Sequence, residues 1–536
     1  MHYPIGIQSF ETIRNGGYVY VDKTDLVYKL AQGHVCFLAR PRRFGKSLLV
    51  STLKAYFEGR RDLFRGLLLD FLEKRWDKHT VVVFDFNLGE KQQPNGLRDY
   101  ILSVIAKNED LYGIQPIANP ENGKPSLDVS LRFSHLIEQL HIMSGRKVVV
   151  LIDEYDKPLL DLLGTDNPGD NNQLASNREL LKSFFSVFKA VDYHLRFVML
   201  TGITKFSQVS IFSGFNQPDD ITFDEDFEAL CGITQIELEA VFNEPIQEMA
   251  AKMQITREET LQVLKANYDG YHFSTRLTDV YNPFSIINAL KRRSIDDYWF
   301  ASGTPSYLVR LLGNTPEDVM DYTSNEYSRD EFVNYKADTA NPLSMIFQAG
   351  YLTIKEYDSE FRTYRLDYPN NEVKQGLMTL LANSYLQEDG VTQSAAIKIV
   401  QAMRKGDTEQ VRRLFTGFLA ETPYTMRPKK DTELYFHYTF YLLMRLISCY
   451  AVYTEKQLSE GRADCIIETP QYVYIFEFKL DGTAAEALQQ IEDRGYAKAY
   501  EADTRTLYKI GASFSSKTGT VEEWRVSSRF ASVASQ

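Results

Sequence analysis

Gly45-Lys46-Ser47 follows a short apolar run at 34–39 and opens a helical pattern at 48–57. Those residue types at a strand-to-helix junction suit phosphate binding. Backbone N–H groups at the helix start face the anion, the lysine reaches the β- and γ-phosphates, and the hydroxyl ligates Mg²⁺. The usual spacing places glycine at position 40, where this chain has Arg40, and Pro41 removes one backbone donor. Arg43, Phe44, Gly45, Lys46, Ser47 and Leu48 are the candidate nucleotide contacts; Arg43 either neutralises phosphate charge or faces solvent.

A second apolar run, 148–152, ends in Asp153-Glu154. In a phosphate site Asp153 would hold Mg²⁺ together with Ser47 or through a water, and Glu154 would orient and polarise the attacking water. An acidic loop after a buried strand is common on its own. Paired with the GKS junction, it points to an ATP site. A third run, Arg196-Phe-Val-Met-Leu-Thr201-Gly-Ile-Thr204, ends in hydroxyls. Thr201 or Thr204 would sense the γ-phosphate, or would cap a turn.

The C-terminal region carries a different set. Glu477 and Lys479 lie two apart in Tyr472-Val-Tyr-Ile-Phe-Glu-Phe-Lys479 and so project from one face of a strand. Asp464 follows Gly461-Arg462 at the start of the preceding strand. Carboxylates from adjacent strands with a lysine beside them are what Mg²⁺-dependent phosphodiester hydrolysis requires. A charged pair on an otherwise apolar strand also needs partners, which a metal supplies. Glu433, in a preceding helical run, would add a carboxylate, and Gln490, in the following helix, would contact substrate or water. The plain alternative is an exposed Glu–Lys ladder.

These residues imply the elements that carry them. Strands are expected at 34–39, 81–86, 148–152 and 197–200, separated by helical stretches, which is the pattern of a parallel α/β sheet. A helix is expected at 23–31 and an exposed loop at 167–172, Asn-Pro-Gly-Asp-Asn-Asn. Apolar spacing from 221 to 420 is mostly helical, broken by Tyr268-Asp-Gly-Tyr271 and Tyr281-Asn-Pro283. Beyond 431 the order is helix (433–450), strand, strand, helix (484–500) and strand (507–510), a second compact α/β unit.

At 536 residues the chain needs more than one core. Cys36, Cys231, Cys449 and Cys465 form no CxxC pair, which argues against a zinc site or a disulfide framework. The start, MHYPIGIQSF, lacks the features of a signal peptide, and no apolar run is long enough for a membrane span. A cytoplasmic protein with no membrane partner is expected. The net charge of −12 excludes a basic coat for indiscriminate nucleic-acid binding. It leaves room for a local groove, for which Arg404, Lys405, Arg412, Arg413, Arg427, Lys429 and Lys430 are the most basic stretch. They would equally form a solvated helix face.

Residues 4–220 resemble the bacterial AAA-ATPase-like family, through PIGIQSFETIRNGGYVYVDKT, RPRRFGKSLL and VVVLIDEYDKPL. In that family the Arg40-type loop is a shared trait. Residues from 431 onward resemble its PD-(D/E)XK nuclease domain, through GRADCIIE, YIFEFK and ALQQIEDRGYAKAY. The resemblance implies a P-loop ATPase parallel sheet (1–220), a helical lid or coupling region (221–425) and a small restriction-endonuclease-like α/β domain (426–536). It implies ATP and Mg²⁺ as cofactors, Lys46 and Ser47 on phosphate and Mg²⁺, and Asp153 and Glu154 as the Walker B pair. It also implies Asp464, Glu477 and Lys479 as the nuclease triad, assisted by Glu433 and Gln490.

An ATP-regulated nuclease acting on DNA or RNA follows from both sets together, with homo-oligomerisation left open. The alternative is an ATP-switched module whose nuclease-like domain binds nucleic acid or protein without cleaving.

Overall fold

The structure is a computed structural model that describes the chain except residues 90–92, 164–167, 206–217, 304–320, 324, 334–341, 387–390, 422–452, 455–464, 502, 516, 519 and 530–536. The chain divides into two compact units, Met1–Val373 and Lys374–Gln536.

The first unit is built on a sheet of β1 (Val35–Ala39), β2 (Val81–Asp85), β3 (Val148–Asp153), β4 (Leu195–Gly202) and β5 (Asp219–Asp220), in the order β2-β3-β4-β1-β5. Every pairing is parallel. All six residues of β3 are buried, as expected of a strand covered on both faces, and its near-continuous Val/Leu/Ile run supplies the apolar surface. β4 lies between β1 and β3, with Leu38 opposite Thr201 and Ile152 opposite Leu200. The three strand ends that carry GKS, Asp153-Glu154 and Thr201–Thr204 are therefore neighbours.

Helices Gln235–Met253, Arg257–Tyr268 and Pro283–Arg292 enclose a separate core around Leu238, Phe242, Met249, Leu264 and Ile286. Capping boxes at Thr234/Glu237 and Thr256/Glu259 start the first two, and Asn282 caps the third by accepting from Phe284 N and Ser285 N. The region expected to be helical also holds an antiparallel sheet, β6 (Glu326–Tyr327), β7 (Thr353–Asp358) and β8 (Thr363–Asp367). The loop expected at 167–172 is corrected: from Pro168 onward these residues open the helix Pro168–Ala190. Proline is tolerated in a first helical turn, and Asp170 there is favourable to the helix dipole.

The second unit contains helices Val391–Arg404 and Thr408–Glu421 and a sheet ordered β13-β12-β11-β10-β9. Its strands are β9 (Tyr453–Thr454), β10 (Cys465–Glu468), β11 (Tyr472–Leu480), β12 (Thr506–Phe514) and β13 (Val521–Arg529). β11 and β12 are parallel, joined across the helix Ala484–Asp493; the other pairs are antiparallel. The helix expected to reach residue 500 stops at Asp493, and Gly495, at φ +63°, turns the chain before a short 3₁₀ turn, Lys498–Tyr500. In the basic stretch, Arg412 and Arg413 share the single carboxylate of Glu409 on their own helix, so this exposed face is only partly neutralised. Arg427, Lys429 and Lys430 lie outside the described residues.

Candidate nucleotide and nuclease-like sites

The loop 40–45 joins β1 to the helix Lys46–Phe57. Gly45 sits at φ +92°, a conformation that glycine adopts without penalty, while Arg43 is held at φ +67°. Arg40 occupies the position of the missing glycine and turns inward, 1% exposed. Its guanidinium donates to the carbonyls of Thr222 (2.7 Å), Ala39 (3.0 Å) and Phe227 (3.2 Å), and lies 4.1 Å from the Phe273 ring centroid. Burial lowers its pKa to about 10, which leaves it charged at neutral pH. Arg40 therefore anchors the loop to the core. The Phe44 ring is buried edge-on against Tyr271 and Phe273, so only its backbone can serve a nucleotide. The Tyr271-His-Phe273 segment thereby acts as a buttress on which the loop packs.

Lys46 is almost fully buried, and its Nζ donates to the carbonyls of Arg40 (2.9 Å) and Pro41 (3.0 Å). Burial lowers its pKa, while Glu154, Asp153 and Asp156 pull it upward. Arg42, Arg43, Gly45, Lys46, Ser47 and Leu48 line one part of a cavity of about 320 Å³, which Glu154 and Lys157 also border. Glu154 sits at φ +51°, a strained backbone for a non-glycine residue and of the kind that collects at functional sites. Burial raises its pKa, and the Lys46 charge opposes that rise.

Asp153, at the end of β3, accepts from Thr201 Oγ1 at 2.6 Å. The Thr204 hydroxyl is likewise committed, to Asp156 Oδ2 (2.8 Å), which also accepts from the backbone N–H groups of Ile203 (2.9 Å) and Thr204 (2.6 Å). Both threonines hold acidic side chains in place, and neither is on the cavity wall. Asp156 is a further acidic residue here, signalled in the sequence only as the third carboxylate of Asp153-Glu-Tyr-Asp156. It is buried, and its Oδ1 has no hydrogen-bond partner.

Among the described residues no group of three His, Cys, Asp or Glu side chains is placed to hold a metal alone. The Ser47 hydroxyl and the Asp153 carboxylate nevertheless suit Mg²⁺, which is commonly held by one or two protein groups plus the phosphates of its substrate.

In the second unit Glu477 is 2% exposed, while Tyr474, Phe476 and Phe478 stack along the opposite face of β11. Lys479 Nζ lies 4.0 Å from Glu477 Oε1 and donates to Gln490 Oε1 at 2.6 Å, and Gln490 Nε2 donates to Glu477 Oε1. The sequence expectation that these side chains share one face holds. Gly511, opposite Glu477 on β12, lets the helix bearing Gln490 come close: a Cβ there would stand 2.3 Å from the Ala484 carbonyl oxygen. Asp464 and Glu433 lie outside the described residues. Cys465, next to Asp464 in sequence, pairs with Phe476, the neighbour of Glu477. A buried cluster not anticipated from sequence lies on β10, where Glu468 accepts from the Tyr500 hydroxyl (2.9 Å) and Arg505 (2.7 Å). These groups satisfy one another and make a structural tie.

Residues 4–212 match the family model described as predicted AAA-ATPase, and residues 431–524 match that of the PD-(D/E)XK nuclease superfamily. The chain is also 37% identical over 537 aligned positions, covering 97% of each chain, to a protein of Azotobacter chroococcum mcd 1 described as an uncharacterized protein in the vnfD 5' region.

Proposed function

The chain belongs to the AAA-ATPase-like proteins that carry a PD-(D/E)XK nuclease-superfamily domain, and from that premise we propose that it binds and hydrolyses ATP and uses this to control Mg²⁺-dependent hydrolysis of nucleic acid. The observation that carries the reading is Lys46: a buried ammonium under the influence of Asp153, Glu154 and Asp156, with its Nζ on loop carbonyls. On ATP binding the ammonium would exchange those carbonyls for β- and γ-phosphate oxygens. Glu154, whose burial raises its proton affinity while the Lys46 charge opposes the rise, is suited to accept a proton from the attacking water. Thr201 holds the Asp153 carboxylate in a fixed orientation at the end of β3. When bound, Mg²⁺ would be held by Ser47 and Asp153 here and by Glu477 with Asp464 and Glu433 in the second unit, supplying Lewis-acid stabilisation of phosphate charge. Lys479 would stabilise developing charge beside the attacking water, and Gln490 would position it by linking Lys479 to Glu477.

Nucleic acid, DNA or RNA, is the proposed partner and the cytoplasm the proposed compartment; among the described residues no helix is long and apolar enough to cross a membrane. The test is a cleavage assay of the full chain on mixed DNA and RNA, with and without ATP and Mg²⁺, beside ATP turnover. Lys46→Ala should abolish turnover and the ATP-dependence of cleavage. Binding of nucleic acid with no cleavage under any condition would replace the nuclease reading with that of an ATP-switched binding module.

A further inference from the structure

Lys46, Ser47, Glu154 and Lys157 account for the phosphate-binding part of the cavity. Much of the rest of its wall is apolar, although Gln8 and Asn87 also line it. Pro4, Ile5, Ile7 and Ile13 come from the N-terminal segment, and Pro283 and Ile287 from the helix Pro283–Arg292. Apolar side chains drawn from two separate segments suit contact with the faces of a purine ring. They do not tell one purine from another, because every base has the same kind of face.

Asn288 adds a directional group to that wall. It is 2% exposed, and its Nδ2 donates to the Phe284 carbonyl one turn back, at 2.8 Å. That carbonyl can only accept, so it fixes which end of the amide is nitrogen. The oxygen end, Oδ1, accepts no hydrogen bond among the described residues. Asn288 thus brings an amide with an uncommitted acceptor to the cavity lining, on a helix whose first turn is capped by Asn282.

Resting on the reading of the cavity as a nucleotide site, we infer that Asn288 is a specificity-determining residue that reads the purine 6-position and selects adenine over guanine. The exocyclic amino group of adenine donates to Oδ1. Guanine and hypoxanthine carry a carbonyl oxygen there, which would face Oδ1 with lone pair against lone pair and leave both acceptors unpaired. A site that pairs a polar group of its ligand rejects analogues lacking it far more strongly than an apolar wall does, and about 10- to 100-fold is expected for one such hydrogen bond.

The experiment measures equilibrium binding to the full chain of ATP, inosine triphosphate, GTP and purine riboside triphosphate, which has hydrogen at the 6-position. Wild type should bind ATP most tightly, purine riboside triphosphate more weakly, and the two 6-oxo nucleotides weakest. Asn288→Ala should compress this order, mainly by weakening ATP. Because the wild-type series needs no variant, a poorly folding Asn288→Ala leaves the inference open to refutation. Equal wild-type affinity for all four would overturn it while leaving the nucleotide site intact, and so would full discrimination retained in Asn288→Ala. Failure of every nucleotide to bind wild type would instead remove the nucleotide-site reading itself.

Discussion

The two candidate sites are assembled in opposite ways. The nucleotide cavity draws on an N-terminal segment, a loop after β1, the exit of β3 and a helix starting at Pro283, so residues distant in sequence must all be in register before it exists. The nuclease-like array takes Glu477, Lys479 and Gln490 from one strand and the helix that follows it. Contacts near in sequence close with little entropy loss, whereas long-range ones depend on the whole fold. The nucleotide site should therefore be sensitive to changes far from the phosphates, and the nuclease-like array mainly to changes in itself.

The largest expected effect tests the local half of that contrast. Glu477→Gln removes a carboxylate while preserving shape, and cleavage should fall about 1000-fold or more, with ATP turnover unchanged. A parallel collapse of ATP turnover, measured in the same preparation, would break the separation. Glu154→Gln is the counterpart at the first site. Turnover should drop about 100- to 1000-fold while ATP binding persists, because the residue orients water and does not hold phosphate. Equal loss of binding and turnover would assign Glu154 to binding instead.

Sequence spacing served the two regions unequally. GKS, Asp153-Glu154 and the Glu477–Lys479 pair were readable because strand period and residue type coincide, and Gln490 because it follows on the next helix. Arg40 showed only as a departure from the usual glycine; that its side chain enters the core follows from Thr222 and Phe227, far along the chain. Asp156 and Asn288 carried no periodic signal, since each gains its role from a partner or a cavity that only the folded chain creates. β13 carries no sequence signal because all its residues are exposed or only partly buried, so no apolar alternation marks it. The hairpin β7–β8 was overlooked within a long stretch of helical spacing.

Arg40 tests the long-range half. Arg40→Ala leaves the carbonyls of Thr222 and Phe227 without their donor and removes the cation from the Phe273 ring. A loss of about 2–3 kcal/mol in urea unfolding of the first unit is expected. ATP affinity should fall as the loop loosens, although Arg40 itself never faces the cavity. Unchanged ATP affinity in a destabilised protein would show that the loop holds its shape without the clamp.

The smallest effect is a pH dependence seated behind the same loop. Glu372 accepts from Ser285 Oγ (2.8 Å) and Trp299 N (2.6 Å), and the Trp299 indole N–H donates to the Arg42 carbonyl at 3.1 Å. Burial, aided by Asp297, raises the Glu372 pKa from 4.5 to about 7. The folded state then binds more protons than the unfolded chain between those values, so stability falls as pH rises across that range. The contribution is fully present below pH 4.5 and is lost as pH rises through about 7. Between pH 6 and 8 the loss amounts to about 1 kcal/mol, and Glu372→Gln, neutral at every pH, should abolish that part of the slope. Asp269, also raised to about 7 by burial, titrates in the same window, so the difference between wild type and variant is the quantity to read, not either curve alone. A slope unaltered in Glu372→Gln would place the titration elsewhere and detach Glu372 from the loop it backs.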